Sequence, residues 1–340
     1  MIRLATIGTS SITRTLSRDV AGVAGIQVTH VFSRDLERAA AFAAEIAELA
    51  PDAAAPQAAG DLDALLHSGD IDAVYIASPN SVHAEQVRAA IRAGVHILVE
   101  KPAVTTAAEW RELAAAARAA GVVMIEGIRT AYDPGLQAVR ELLPQLGTVR
   151  RVSFRYESLS SRYDKVLAGE RVNMFDPELA GGVLFDLGCY TAHPLIALFG
   201  LPREVRSSHV QVAVRDDSPG VDGAGVAIAS YDDFDADLSY SKITTSSQFS
   251  EIRGERGTLV IDHIASPRVL TLQPAGGDEV VHELPIDGPQ HALTGEVERF
   301  VALVGGGDAA AAEPDQLATE QTLRLLDAIR AGWGGGAVAL

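Results

Sequence analysis

Over its first 130 residues the chain alternates short, largely apolar runs with alanine-rich stretches of helical period. No other feature narrows the possible folds as much. The apolar runs are 2–7, 26–32, 73–77, 95–99 and 122–126, and the helical stretches fall at about 34–49, 60–67, 81–93 and 106–120. Strands this apolar have no wet face, so they belong to a parallel sheet covered by helices on both sides. Beyond Asp133 the pattern changes. Runs lengthen and alternate in polarity, as in TVRRVSFRYES, EVRSSHVQVAV, GVAIASY, ADLSYSKI, SQFSEIRGERGTLVIDH and RVLTLQP, with few helices between them. Alternation gives each strand one apolar and one polar face, which suits a mainly antiparallel sheet with an open side. Helices near 181–199, 290–304 and 313–331 complete this half. Residues 308–312 read as a loop, and the tail GWGGGAVAL is expected to be poorly ordered. The expected architecture is an α/β domain over 1–130 followed by an α+β domain with a large, open-faced sheet over 131–340.

Composition narrows the function classes. A chain of 340 residues has room for two cores. Its 47% hydrophobic content comes largely from alanine spread through polar sequence, no run of 18 apolar residues occurs, and a membrane span is not expected. The start, Met1-Ile2-Arg3-Leu4, runs into a strand without a cationic leader, and Cys189 is the single cysteine. Both readings point to a reducing cytoplasm. A formal net charge of −17 opposes phosphate binding on the scale that nucleic-acid partners demand. The nine histidines are scattered without metal-ligand spacing, so no metal is expected.

The first strand runs into IGTSSIT, residues 7–13, where a dinucleotide-binding loop places glycines at 8, 10 and 13. This chain has Gly8, Ser10 and Thr13 there. Gly8 keeps the tight turn, and hydroxyls at the other two positions either bond phosphate or cap the helix. Gly8, Thr9, Ser10, Ser11 and Ile12 are therefore the expected pyrophosphate cradle. The second strand ends in Phe32-Ser33-Arg34, with Arg38 a turn later, where an NAD enzyme carries Asp or Glu. Serine and arginine suit a 2′-phosphate, so NADP is the expected cofactor, with NAD possible. Asp35 fits only if it turns away to cap the helix.

Residues 72–102, DAVYIASPNSVHAEQVRAAIRAGVHILVEKP, carry Ser78-Pro79-Asn80, His83, Ala93-Gly94-Val95-His96 and Glu100-Lys101-Pro102 in register. This stretch resembles the Gfo/Idh/MocA oxidoreductase family of glucose–fructose oxidoreductase and inositol dehydrogenase. The resemblance extends more loosely to both ends of the chain. It implies a Rossmann domain followed by an α+β domain whose sheet forms a dimer or tetramer interface. It also implies cofactor contacts at Ala77, Ser78, Pro79, Asn80, His83, Glu100 and Lys101, with Lys101 beside the nicotinamide and the substrate hydroxyl. From the residues themselves, His83 either caps its helix or touches cofactor, and both readings stay open.

A second stretch, ELAGGVLFDLGCYTAHPLIALFG (178–200), resembles the family's Gly-Gly-x-x-x-Asp-x-Gly-x-His/Tyr signature. Asp186 and Tyr190, four apart, share a helix face. Pro194 removes the donor for the Tyr190 carbonyl, so a kink is expected just beyond Tyr190. Tyrosine at 190 resembles the branch containing dimeric dihydrodiol dehydrogenase. The resemblance implies that Tyr190 is the acid/base, with Lys101 lowering its pKa and Asp186 orienting one of them. His193 reads mainly as structural, with substrate contact the alternative. Arg162, Tyr163 and Lys165, in the polar loop before this stretch, either face substrate or serve an oligomer contact.

The expected activity is hydride transfer between the nicotinamide of NADP and a hydroxyl or carbonyl carbon of a sugar, polyol or related diol. Two rivals are a regulator that binds NADP and a metabolite without turnover, and an NAD-assisted lyase or glycosidase that returns the hydride to its substrate.

Overall fold

The N-terminal apolar runs become the strands of one parallel sheet. The computed structural model describes all residues except 52, 214–218 and 285–292, and the chain divides into two compact units. The first unit begins with β1 (Ile2–Ile7), α1 (Ser11–Gly22), β2 (Ile26–Phe32), α2 (Leu36–Leu49), β3 (Gln57–Ala59) and α3 (Leu62–Leu66). It continues through β4 (Ala73–Ile76), α4 (Asn80–Ala93), β5 (His96–Glu100), α5 (Ala107–Ala119) and β6 (Met124–Gly127). Sheet order is β3-β2-β1-β4-β5-β6, all neighbours parallel. Leu4, Val74, Ile76, Ile97 and Val99 are buried in its centre. Strand order reverses between β1 and β4, where doubly wound sheets open a ligand crevice at their carboxyl edge. The helices start where short polar side chains accept the third backbone N–H: Ser10, Asp35, Asp61 and Thr106 do this for α1, α2, α3 and α5.

The second unit opens with α6 (Pro134–Leu142), β7 (Val149–Glu157) and α7 (Tyr163–Leu167). A π-helical turn, Leu184–Gly188, then runs into α8 (Cys189–Phe199). Seven strands follow: β8 (Glu204–Val212), β9 (Val221–Ser230), β10 (Asp235–Ser241), β11 (Ser250–Gly254), β12 (Gly257–Ile261), β13 (Val269–Pro274) and β14 (Val280–Glu283). Then come α9 (Thr294–Gly306), α10 (Glu313–Gly332) and β15 (Val338–Ala339). The sheet runs β14-β13-β12-β11-β7-β10-β9-β8-β15, antiparallel throughout except for β7 beside β10. Val152, Phe154, Leu238, Tyr240, Ile252 and Leu259 make its buried face, on which the π turn and α8 lie. The opposite face carries Arg151, Ser153, Arg155, Asp237 and Arg253.

Three expectations differ from this. The second domain is not continuous from 131 onward. The segment Asp287–Thr319 belongs to the first unit, and the second comprises Thr130–Ile286 and Glu320–Leu340. The reason is buried polar pairing: Trp110 Nε1 donates to Gln316 O at 2.9 Å, and Gln316 Nε2 donates to Met124 O at 3.0 Å. The tail is not loose throughout, because β15 adds to β8 in the register Val338↔Val205. Third, Pro194 sits inside α8, which runs on to Phe199; the departure from α geometry comes earlier, in the π turn. Residues Pro177–Phe199 are long and apolar enough to cross a bilayer, but 72% of the apolar window is buried inside the protein, as in a core helix.

Candidate active site

In the first unit the candidate residues lie at the carboxyl edge of the parallel sheet. Gly8 follows β1 at φ +118°, and a Cβ there would fall 2.6 Å from the Ala77 carbonyl oxygen, so only glycine fits. The N-terminus of α1 opens from this turn with its first N–H groups, at Ser11 and Ile12, beyond reach of any intrahelical acceptor. Ser10 and Thr13, which replace two glycines, hydrogen-bond each other at 3.1 Å, and Ser10 also caps α1. Thr13 is buried, so its hydroxyl serves the helix. The edge thus fits a dinucleotide pyrophosphate held by backbone N–H groups, with Thr9, Ser10 and Ser11 at its rim. At the end of β2, Ser33 Oγ accepts the Asp35 N–H at 3.2 Å, and Asp35 Oδ1 accepts the Arg38 N–H at 3.1 Å. Asp35 is therefore committed to the cap of α2, while the Arg34 and Arg38 side chains stand exposed.

Past β4, Ala77 N–H donates to Ile7 O, which ties the Ala77–Asn80 turn to the glycine loop. Ser78 Oγ donates to Gln86 Oε1 at 2.6 Å, and Asn80 opens α4 behind Pro79. His83 is a correction to the cofactor list. Its ring is 1% exposed, with Nδ1 3.0 Å from Pro102 O and Nε2 2.8 Å from Ser78 O, so it fastens the ends of β4 and β5 together. Burial lowers its pKa against the pull of those carbonyls, and the neutral ring donates to one of them.

Glu100 is a second correction. It turns inward, accepting the Tyr75 hydroxyl on Oε1 and the Lys101 N–H on Oε2 at 3.2 Å. Around it the first unit buries two more carboxyls, which the sequence reading missed. Ala103 N–H donates to Glu126 Oε1 at 2.8 Å. Glu296 of α9 and Glu100 each place Oε1 within 3.7 Å of where a Gly127 Cβ would sit. Burial raises all three pKa values, Glu126 to about 7 and Glu296 well above its ordinary range, the latter aided by the Glu100 charge. Lys101, half-buried and joined to Pro102 by a cis peptide bond, stands at the end of β5 in front of this acidic cluster.

In the second unit the candidate residues are built on the π turn. Asp222, on β9, accepts the Leu184 N–H at 2.6 Å and so caps the turn from outside. Gly182, at φ +125°, makes that possible, since a Cβ would lie 2.2 Å from Asp222 Oδ1. Burial raises the Asp222 pKa to about 6. Asp186 and Tyr190 project from successive turns. Asp186 pairs with Lys242, 3.1 Å from Oδ2, a residue no motif flagged. The Tyr190 ring lies against Tyr156 (centroids 5.8 Å), which is itself edge-on to His263 at 4.7 Å. Cys189 is buried, with Sγ 3.6 Å from Asp186 O, in no setting for a nucleophile.

The loop residues pack beside Val221 and Ile243, the chain neighbours of Asp222 and Lys242. Tyr163 packs on Phe175, at the edge of the Val166–Val172–Phe175–Val221 cluster, and the exposed Arg162 precedes α7. His193 corrects the substrate list: it is 2% exposed, its Nδ1 is 2.8 Å from the Thr130 hydroxyl, and burial, assisted by Arg140, lowers its pKa to about 4. It is a neutral core histidine. Among the described residues, no group of three or more His, Cys, Asp or Glu is placed to hold a metal ion.

Comparison with known proteins meets this geometry from the other side. Residues 2–128 match the model of an oxidoreductase family with an NAD-binding Rossmann fold, and residues 136–260 match the GFO/IDH/MocA C-terminal domain. The chain belongs to the Gfo/Idh/MocA oxidoreductase family. Among its relatives, the scyllo-inositol 2-dehydrogenase (NADP(+)) of Bacillus subtilis is 40% identical over 304 residues, 89% of this chain and 88% of the relative. The D-xylose 1-dehydrogenase (NADP(+)) 2 of Haloferax volcanii is 29% identical over 310 residues, 88% and 87% of the two chains. A 3-ketoreductase from Actinomadura kijaniata, crystallised with NADP, shares the fold at a TM-score of 0.80 and 23% identity, covering 97% of each chain. As a Gfo/Idh/MocA member this protein is an NAD(P)-dependent oxidoreductase.

Proposed function

We propose that this protein is an NADP-preferring dehydrogenase/reductase acting on a secondary hydroxyl or the matching carbonyl of a sugar, polyol or related diol. The observation that carries the reading is Lys101, set by β5 at the same carboxyl edge as the Gly8 cradle. Gly8 to Ile12 and the Ala77–Asn80 turn hold the dinucleotide, and Ser33, Arg34 and Arg38 receive a 2′-phosphate. The cofactor supplies the hydride acceptor or donor at its nicotinamide C4. Tyr190 takes the hydroxyl proton during oxidation and returns it during reduction, while Lys101 stabilises the phenolate and the developing alkoxide. Asp186, paired with Lys242, fixes the hydrogen-bond direction at this centre. A polyol class is supported by the names of the inositol and xylose relatives.

The test is NADPH formation across scyllo-inositol, D-xylose and trans-1,2-dihydrobenzene-1,2-diol, with NADP and NAD compared at equal concentration. Turnover of at least one, faster with NADP, is the expected result. Cofactor binding without turnover of any compound, in either direction, overturns the enzymatic reading. Tighter NAD binding overturns the assignment of Ser33 and Arg34.

The protein works in the cytoplasm as a homodimer or homotetramer through the open sheet face. Supporting this, Val210 and Val226 are 55% and 49% exposed on adjoining strands of that face, next to the ordered Arg151–Asp237 ion pair.

A further inference from the structure

Lys242 lies outside every motif that makes the chain legible, yet it reaches the side chain at the centre of the catalytic signature. Its backbone N–H donates to Gly223 O at 2.9 Å, carrying the β9–β10 ladder one residue further. That places its ammonium 3.1 Å from Asp186 Oδ2, with the two side chains 22% and 31% exposed. The same two strands grip the π turn twice, since Asp222 of β9 holds the Leu184 N–H while Lys242 holds the Asp186 carboxylate. The choice of residue is itself notable. Of the 28 basic residues only those at 101, 165 and 242 are lysine, and an ammonium acts on one carboxylate oxygen as a point charge, where a guanidinium occupies both.

We propose that Lys242 is a positioning residue for the redox reaction: it holds Asp186 as an oriented carboxylate beside Tyr190. This rests on the oxidoreductase reading above. The charged and titratable groups around the turn include Lys242 just past β10, Tyr240 on β10, Asp222 from β9, Tyr156 from β7, Cys189 and Tyr190 from α8 and Arg330 of α10, which lies over the Phe185 ring at 5.2 Å. Asp222 accepts backbone N–H groups and feels the Arg330 charge, Arg330 also lies over the Phe185 ring, and Lys242 is a cation in ion-pair range of the Asp186 carboxylate. An opposite charge at this distance favours the ionised carboxylate.

The experiment compares Lys242→Met, Lys242→Gln, Lys242→Arg, Asp186→Asn and the Lys242→Met/Asp186→Asn pair, using NADP and the best-oxidised compound of the three-substrate panel. Lys242→Met and Lys242→Gln are expected to move the acid limb of kcat/KM up by about one pH unit and to lower kcat about tenfold, while Lys242→Arg keeps the limb in place. In the Asp186→Asn background, Lys242→Met is expected to change kcat less than twofold. NADPH titration by fluorescence checks folding and should agree within twofold for every variant. An unmoved acid limb in both Lys242→Met and Lys242→Gln, or losses that multiply in the pair, overturns the proposal. If instead Lys101→Met and Tyr190→Phe leave turnover intact, the oxidoreductase mechanism fails, and the Lys242 role with it.

Discussion

Tyr190 and Lys101, the proposed reactive groups, are set in contrasting surroundings. The Tyr190 ring is backed by Tyr156, which fixes its direction through packing, whereas Lys101 follows a carboxylate whose two oxygens are already committed to Tyr75 and to the Lys101 backbone. Glu100 therefore shapes the chain at Lys101, whose charge in turn acts on the Glu100 carboxyl. Removing the Tyr190 hydroxyl should then cost the chemical step and little else. Tyr190→Phe is expected to lower kcat by about 10² to 10⁴ fold with NADPH affinity unchanged, measured by steady-state kinetics beside a fluorescence titration. Near-full activity would remove Tyr190 from the mechanism. At this scale the sequence placed the motif residues on their elements and did not say which of them turn toward the core. His83, Glu100 and His193 sit among functional residues in sequence, yet each is spent on protein carbonyls, hydroxyls or buried backbone. Residue type alone cannot distinguish a histidine that meets a ligand from one that meets a carbonyl.

In each unit one element holds the candidate residues, and both elements depend on a close approach. Between β1 and α1, Gly8→Ala would push a Cβ against the Ala77 carbonyl at a backbone angle L side chains avoid. Strain of about 1–3 kcal/mol is expected, together with at least a tenfold loss of NADPH affinity, read by thermal melting and fluorescence; wild-type affinity would show that the loop is not the cradle. On the π turn, Asp222→Ala leaves the buried Leu184 N–H without its acceptor, a loss of about 1–3 kcal/mol. Asp222→Asn, which keeps an acceptor oxygen, should lose clearly less in the same denaturant titration. The long elements were legible because their periodicity is long: β1 and β2 fall at 2–7 and 26–32 as read. β3 escaped because three residues carry no period. The π turn escaped because nothing local marks it. Its cap comes from Asp222, 38 residues away.

Across the whole molecule, several buried titratable groups have pKa values shifted toward their neutral forms. Glu126 and Asp222 have folded pKa values raised by burial to about 7 and about 6. For such groups the stabilising contribution is complete below the unfolded value and is lost as pH rises through the folded one. His193 runs the other way: with its folded value lowered to about 4, its contribution is complete above about 6.5 and is lost as pH falls toward 4. Glu126→Gln mimics the protonated form and keeps an acceptor for Ala103. It should remove much of the stability lost between about pH 4.5 and 7, on the order of 3 kcal/mol, seen as a flatter profile of melting temperature against pH. An unchanged profile would mean that Glu126 is ionised in the folded protein. Assembly belongs to this scale too: Val226→Asp, on the open sheet face, is expected to yield monomers by light scattering. The sequence by itself determined the order of elements, the two architectures and the family, because periodicity and short motifs are local properties of the chain. Only the tertiary structure decided that residues 287–319 rejoin the first unit, that Glu296 meets Glu100 around Gly127, and that Lys242 pairs with Asp186. Those are pairings between distant segments, fixed by which buried polar groups find partners once the sheets are formed.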